Sequence, residues 1–179
     1  MRGNSTCRPR RAQRAQRGQA LTEFALVSIV LTLILAGSIE FGLLYSHQIE
    51  LANGARAGAR WAAAHPTSWT AAASPASNTV EAQVLAAGGT SQIANDDSHI
   101  TIEYLDSAPA TPVLCGRYSA ASGGAFVAQS GYTQATCVKP GNLVRVTVIQ
   151  SYPLLTAILG GLFGAAVSVR GTATMPVLA

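Results

Sequence analysis

The sequence predicts an α+β chain: a long N-terminal transmembrane helix, then a small exported domain with a short helix and about three antiparallel strands. Three observations carry this. A predominantly apolar run at residues 24–45 is long enough to cross a bilayer. A helical pattern continues from it as far as His65-Pro66. Beyond residue 98, short segments rich in β-branched residues alternate in the strand period.

The first 18 residues form a basic leader. Arg2, Arg8, Arg10, Arg11, Arg14 and Arg17 supply half of the chain's 12 basic residues, with no acid among them. The remainder sets six basic groups against 8 acidic ones, so the formal charge of +4 resides in the leader. Nucleic-acid binding needs positive charge arrayed on a folded surface, and this distribution excludes it. Only 11% of residues are charged, against about a quarter in ordinary soluble domains.

Residues 24–45 read FALVSIVLTLILAGSIEFGLLY. As a helix they span about 33 Å, against a hydrocarbon core of about 30 Å. Ser28, Thr32 and Ser38 can bond to their own helix, and Glu40 falls near the far end, where the interface would hydrate it. Arginines before the run place the N-terminus in the cytoplasm and the rest outside. A secretory signal peptide is the competitor, because Ala36-Gly37-Ser38 has the small residues of a cleavage site. Against it stand the apolar residues beyond that site (Phe41, Leu43, Leu44) and Glu23 at the mouth of the run.

The helix continues beyond the span, so that 19–65 forms one unit. In it Gly54, Gly58 and Ala62 recur every four residues on one stripe. Two helical glycines cost roughly 1 kcal/mol each against alanine. A close backbone approach would offset that, either by a partner helix or by the chain's own sheet.

The exported part, 66–179, opens with a loop at 66–78. Asn78-Thr79-Val80-Glu81 matches a capping box with Glu81 at its third position, and Gly88-Gly89 stops the helix of about 79–87. Strands are expected at 99–106, 143–150 and 167–175, with 107–142 irregular. Cys115 and Cys137, in that region, fit neither zinc spacing nor a redox CxxC; on the exported side a disulfide is the economical pairing. An apolar connector at 153–166 is short for a span and divided by Gly160-Gly161. It is a buried connector, or it dips into the membrane surface or a partner.

The segment Arg17-Gly18-Gln19-Ala20-Leu21-Thr22-Glu23-Phe24 resembles the processing site of type IV pilin-like proteins. With "ANGARAGARWAA" and the closing "LVRVTVIQSYPLLTAILGGLFGAAVSVRGTATM", the chain resembles a TadE-like pseudopilin of the Tad/Flp tight-adherence system. The resemblance covers roughly 17–65 and 143–175. It implies cutting by a prepilin peptidase after Gly18, a new N-terminus at Gln19, and Glu23 as residue five of the mature chain before Phe24. It implies as partners the membrane, the peptidase, other pilin-like subunits and the Tad assembly platform. The new amine at Gln19 could pair with Glu23 one turn on; the resemblance implies a pairing between neighbouring chains that sets axial register. Phe24 stands where the major Flp pilins have tyrosine, and those pilins are far shorter.

No catalytic signature, phosphate loop or dinucleotide fingerprint occurs, so no enzyme, cofactor, metal or small-molecule substrate is expected. His47, His65 and His99 lie apart along the chain, and Asp96-Asp97 reads as a solvated turn. The alternative to a pilus-assembly subunit is an envelope binding domain, released by signal peptidase or held by a single-pass anchor.

Overall fold

The structure is a computed structural model describing residues 10–89, 93–154, 161, 164 and 166–178, with side chains described from residue 19. The first half of the leader, Cys7 and most of the 153–166 connector lie outside the described residues. The chain divides into two compact units, Met1–Phe41 and Gly42–Ala179.

Helix α1 runs from Arg10 to Ala64. It ends where expected, because proline at 66 denies the next turn its N–H and disfavours a helical His65. In the first unit most large apolar side chains of α1 are exposed; they are described with the site below.

The second unit is a five-stranded antiparallel sheet with helices packed on it. Helix α2 (Val80–Ala87) is followed by β1 (Ile100–Asp106), β2 (Val113–Ser119), β3 (Ala125–Ala128), the one-turn α3 (Gln134–Cys137), β4 (Leu143–Pro153) and β5 (Ala166–Pro176). The strand order is β3-β2-β1-β4-β5. Alternation in β1 and β4 sends Ile100, Ile102 and Tyr104, with Val144, Val146 and Val148, to one buried face. Onto that face pack Leu51, Ala55, Ala59 and Ala62 of α1 with Val80 and Val84 of α2. On the other face Glu103 and Arg145, paired across the strands, bring Oε2 and a guanidinium nitrogen to 3.6 Å.

Two strands, β2 and β3, occupy the region expected to be irregular. The register between β1 and β2 shifts after Tyr104, which pairs with Gly116 while Leu105 pairs with Leu114. Cys115 is the extra residue of this bulge, and the bulge breaks the period-two alternation that identifies a strand. β3 has only 4 residues, and its hairpin turns on Gly123 and Gly124, both at positive φ. Gly116 has its own reason: a Cβ there would meet the Phe126 ring at 2.5 Å.

The N-terminus of α2 also differs from expectation. The cap is Thr79, whose Oγ1 accepts from the Ala82 amide at 3.4 Å. Glu81 reaches away from the helix end and accepts from the Thr70 amide at 3.0 Å. Spacing that suits a capping box also suits a carboxylate pinning the preceding loop. That loop is further held by Trp69, whose ring lies 5.5 Å from Tyr118 and 5.9 Å from both Tyr104 and Phe126.

Candidate functional site

The residues expected at the processing site all fall on α1. Gly18 lies in helical backbone, so the bond to Gln19 sits inside a helix. One turn on, the side-chain Nε2 of Gln19 donates to Glu23 Oε1 at 3.1 Å, the spacing that brings i and i+4 together. The structure thus places Gln19 and Glu23 side by side, with Phe24 71% exposed beside them.

From there α1 shows large apolar side chains to its surroundings. Leu26, Val27, Ile29, Val30, Leu31, Ile34 and Leu35 are all exposed. The helix contains a stretch of mean hydropathy 2.2 that is only 6% buried, long and apolar enough to cross a membrane. Its hydroxyls are satisfied internally: Ser28 Oγ donates to the Ala25 carbonyl, Thr32 Oγ1 to that of Ser28 and Ser38 Oγ to that of Ile34. That suits a medium with no water to offer. Glu40 departs from expectation: it is 2% exposed, so its carboxylate is shielded instead of hydrated at an interface.

The small-residue stripe is covered within the second unit. A Cβ on Gly54 would lie 2.9 Å from the Val84 carbonyl oxygen, and one on Gly58 would lie 2.4 Å from Val84 Cγ2 and 3.4 Å from Val146 Cγ1. Ala62 is fully buried. Here the close partners are α2 and β4 of the same chain. The physical reason is reciprocal: glycine in α1 lets the α2 backbone reach it, and a partner helix would need that same space. β5 matches this from the sheet side, since a Cβ on Gly171 would fall 2.4 Å from the Leu51 backbone.

Cys115 and Cys137 are bonded to each other, with Cα atoms 5.6 Å apart and both side chains buried. The bridge ties the β2 bulge to α3. Asn142 braces the same corner, donating to the carbonyls of Thr136 and Cys137 at 3.1 and 2.9 Å.

The acidic pair at 96–97 is consumed by the fold. Asp96 Oδ1 accepts from Ser98 Oγ and from the amides of Ser98 and His99. The Ser98 hydroxyl above all, outweighing desolvation, holds this carboxyl down at about 2. Desolvation pushes Asp97 up, but Ser119 Oγ and the amides of Ala120 and Ala121 outweigh it and bring the carboxyl below its ordinary value. Among the described residues no group of three or more His, Cys, Asp and Glu is set to hold a metal ion. The histidines stay apart: His65 stacks on Trp61 at 4.2 Å, His99 bonds Asp96 and His47 lies against Tyr152.

Glu81 is the functional-type residue whose setting spacing misjudged. It is fully buried, its Oε2 has no hydrogen-bond partner, and burial pushes its carboxyl up to about 7. Trp69 in an otherwise small and polar loop was the one signal that the loop is docked.

Two family models match the chain. One, described as putative Tad-like Flp pilus-assembly, matches residues 57–173; the other, described as TadE-like protein, matches residues 18–60. No curated protein and no solved structure matches.

Proposed function

From a chain that belongs to the Tad-like Flp pilus-assembly family, with a TadE-like N-terminal part, we propose a specific product: a pilin-like minor subunit, cut by a prepilin peptidase after Gly18 and anchored by α1. The observation that carries this is the Gly18-to-Glu23 segment at the head of an uncovered apolar helix, at the point where the TadE-like match begins. Gly18 suits a scissile position inside a helix, because glycine costs about 1 kcal/mol there and eases local opening. Cleavage removes the arginine leader and leaves an amine at Gln19, one turn from Glu23. The arginines before the span support a cytoplasmic N-terminus and an exported second unit. The TadE-like match runs through the Ser38–Ile39 junction to residue 60, which favours a retained helix over removal at that point.

The partners are then the membrane, the prepilin peptidase, other pilin-like subunits and the Tad assembly platform. The role is structural, with no reaction carried by the chain. Glu23 is assigned to assembly: a carboxylate at the lip of an apolar span is costly without a partner, and an incoming subunit's amine meets that need in one axial register. The test is Glu23→Leu in the native host. Membrane insertion and cleavage are expected to persist while piliation, or cross-linking to other pilin-like subunits, is lost. Wild-type piliation in this variant would remove the register role.

A further inference from the structure

The β4–β5 ribbon outruns the rest of the sheet. β1 follows β4 only as far as Val148, whereas β4 and β5 stay paired to Pro153 and Ala166. The last pairs, from Ile149↔Arg170 to Pro153↔Ala166, stand as a two-stranded tongue. A lone two-stranded ribbon is marginal in water, so the tongue needs surfaces to lie on. The second unit's part of α1 supplies one. Gly171 meets the Leu51 backbone, and the Tyr152 ring lies 4.9 Å from the His47 ring.

Those two contacts give the tongue a direction. From the Val148–Gly171 pair to the Tyr152–Val167 pair, the contact on α1 moves from Leu51 back to His47. At the same pace of one helix residue per strand residue, two further residues bring Leu154 level with Tyr45. Leu43 and Tyr45 belong to the last turn of the 24–45 apolar run, and both are exposed.

The chemistry of the tongue matches that level. From Val146 to Val169 the sequence has no Asp, Glu, Lys, Arg or His. The described residues of the tip are Pro153 and Ala166, both exposed, Gly161 and Gly164, also exposed, and the half-buried Leu154, Tyr152 and Val167. An uncharged tip beside the end of an apolar span fits the headgroup boundary of the same bilayer, where tyrosine places its ring in apolar surroundings and its hydroxyl in water.

We infer that the tip of the β4–β5 tongue (Tyr152, Pro153, Leu154, Ala166, Val167) rests in the headgroup boundary beside α1, a second lipid contact for the chain. This rests on residues 24–45 being a membrane span, and not on its orientation or on cleavage. Two attachment points fix the domain's tilt against the membrane, which a single helix leaves free. The link between the strands is too short to span, so the contact is shallow.

The test uses the full chain in lipid nanodiscs of phosphatidylethanolamine and phosphatidylglycerol, in a Cys7→Ser background. One new thiol at a time carries an environment-sensitive fluorophore: Val30→Cys in the span, Leu154→Cys at the tip, Ala110→Cys at the opposite end of the sheet. Retention of the 115–137 disulfide is the folding check for each variant. Nitroxide lipids labelled near the headgroup are expected to quench the probe at 154, with several-fold less quenching by aqueous iodide than at 110. Lipids labelled deeper in the chain are expected to quench the probe at 30. Quenching at 30 with a probe at 154 open to iodide and untouched by the lipids overturns the inference and leaves the anchor standing. A probe at 154 shielded from both quenchers overturns it in favour of a protein neighbour. Absence of lipid quenching at 30 removes the span itself, and the inference with it.

Discussion

One helix is built for two surroundings. Before Phe41, α1 carries leucine, isoleucine, valine and phenylalanine, and they are exposed. After it, the helix turns to Leu51, Gly54, Ala55, Gly58, Ala59 and Ala62, and these are buried. Hydropathy separates the two, since Glu50, Arg56 and Arg60 fall only in the second part. Side-chain size adds what each part is built to meet. Large residues fill space against a medium that adapts, whereas glycine and alanine admit a backbone that is already in place. The difference teaches that a small-residue stripe marks contact with a protein backbone and does not by itself name whose.

The contrast can be broken at several points, all measured as unfolding of the full chain in nanodiscs. Serine at both Cys115 and Cys137 is expected to cost the second unit roughly 3 kcal/mol in the chain-entropy account and to leave helicity of the first half unchanged. Loss of helix in both halves would show that the units do not fold separately.

The next effect belongs to pH. Glu81 is raised from 4.5 to about 7 by burial, so between those values the folded chain holds a proton that the unfolded chain has released. Stability therefore is greatest below the unfolded value, falls as pH rises towards 7 and is flat above. The fall is up to about 3 kcal/mol. Glu81→Gln should abolish this slope while retaining an acceptor for the Thr70 amide; an unchanged slope would assign it elsewhere. Asp96, lowered to about 2, acts with opposite sign and only as pH falls below about 4, so the two windows do not overlap.

Gly171→Ala brings a Cβ to 2.4 Å from the Leu51 backbone, which cannot swing aside as a side chain can. A loss of about 2–3 kcal/mol is expected. The same change at Gly37, where a Cβ meets nothing within 4 Å, is the smallest effect: a gain of up to about 1 kcal/mol from helix propensity. Equal responses at 37 and 171 would contradict the division of α1 into lipid-facing and protein-facing halves.

Where periodicity was unbroken, the fold was legible. The α1 pattern up to proline 66, and the β-branched alternation of β1, β4 and β5, each lie within a residue or a few of their observed bounds. β2 was not legible because Cys115 inserts an extra residue and Gly116 supplies no side chain to count. β3 is too short to show a period. At the candidate site, Gly18, Gln19 and Glu23 could be placed by local spacing alone, since a helix fixes i and i+4. The partner of the Gly54–Gly58–Ala62 stripe was not readable, because Val84 and Val146 are distant in sequence. Glu81 was misread for a related reason: its bond to Thr70 bridges 11 positions backwards across a loop.

The most direct measurement is the N-terminal sequence of the mature protein from its native host. A chain that begins at Gln19, without the six leader arginines, is expected. Replacing Gly18 by a bulky residue is expected to leave the precursor uncut. A mature chain that begins near Ile39 would mean removal of the apolar helix by signal peptidase, and would contradict a pilin-like subunit held by α1.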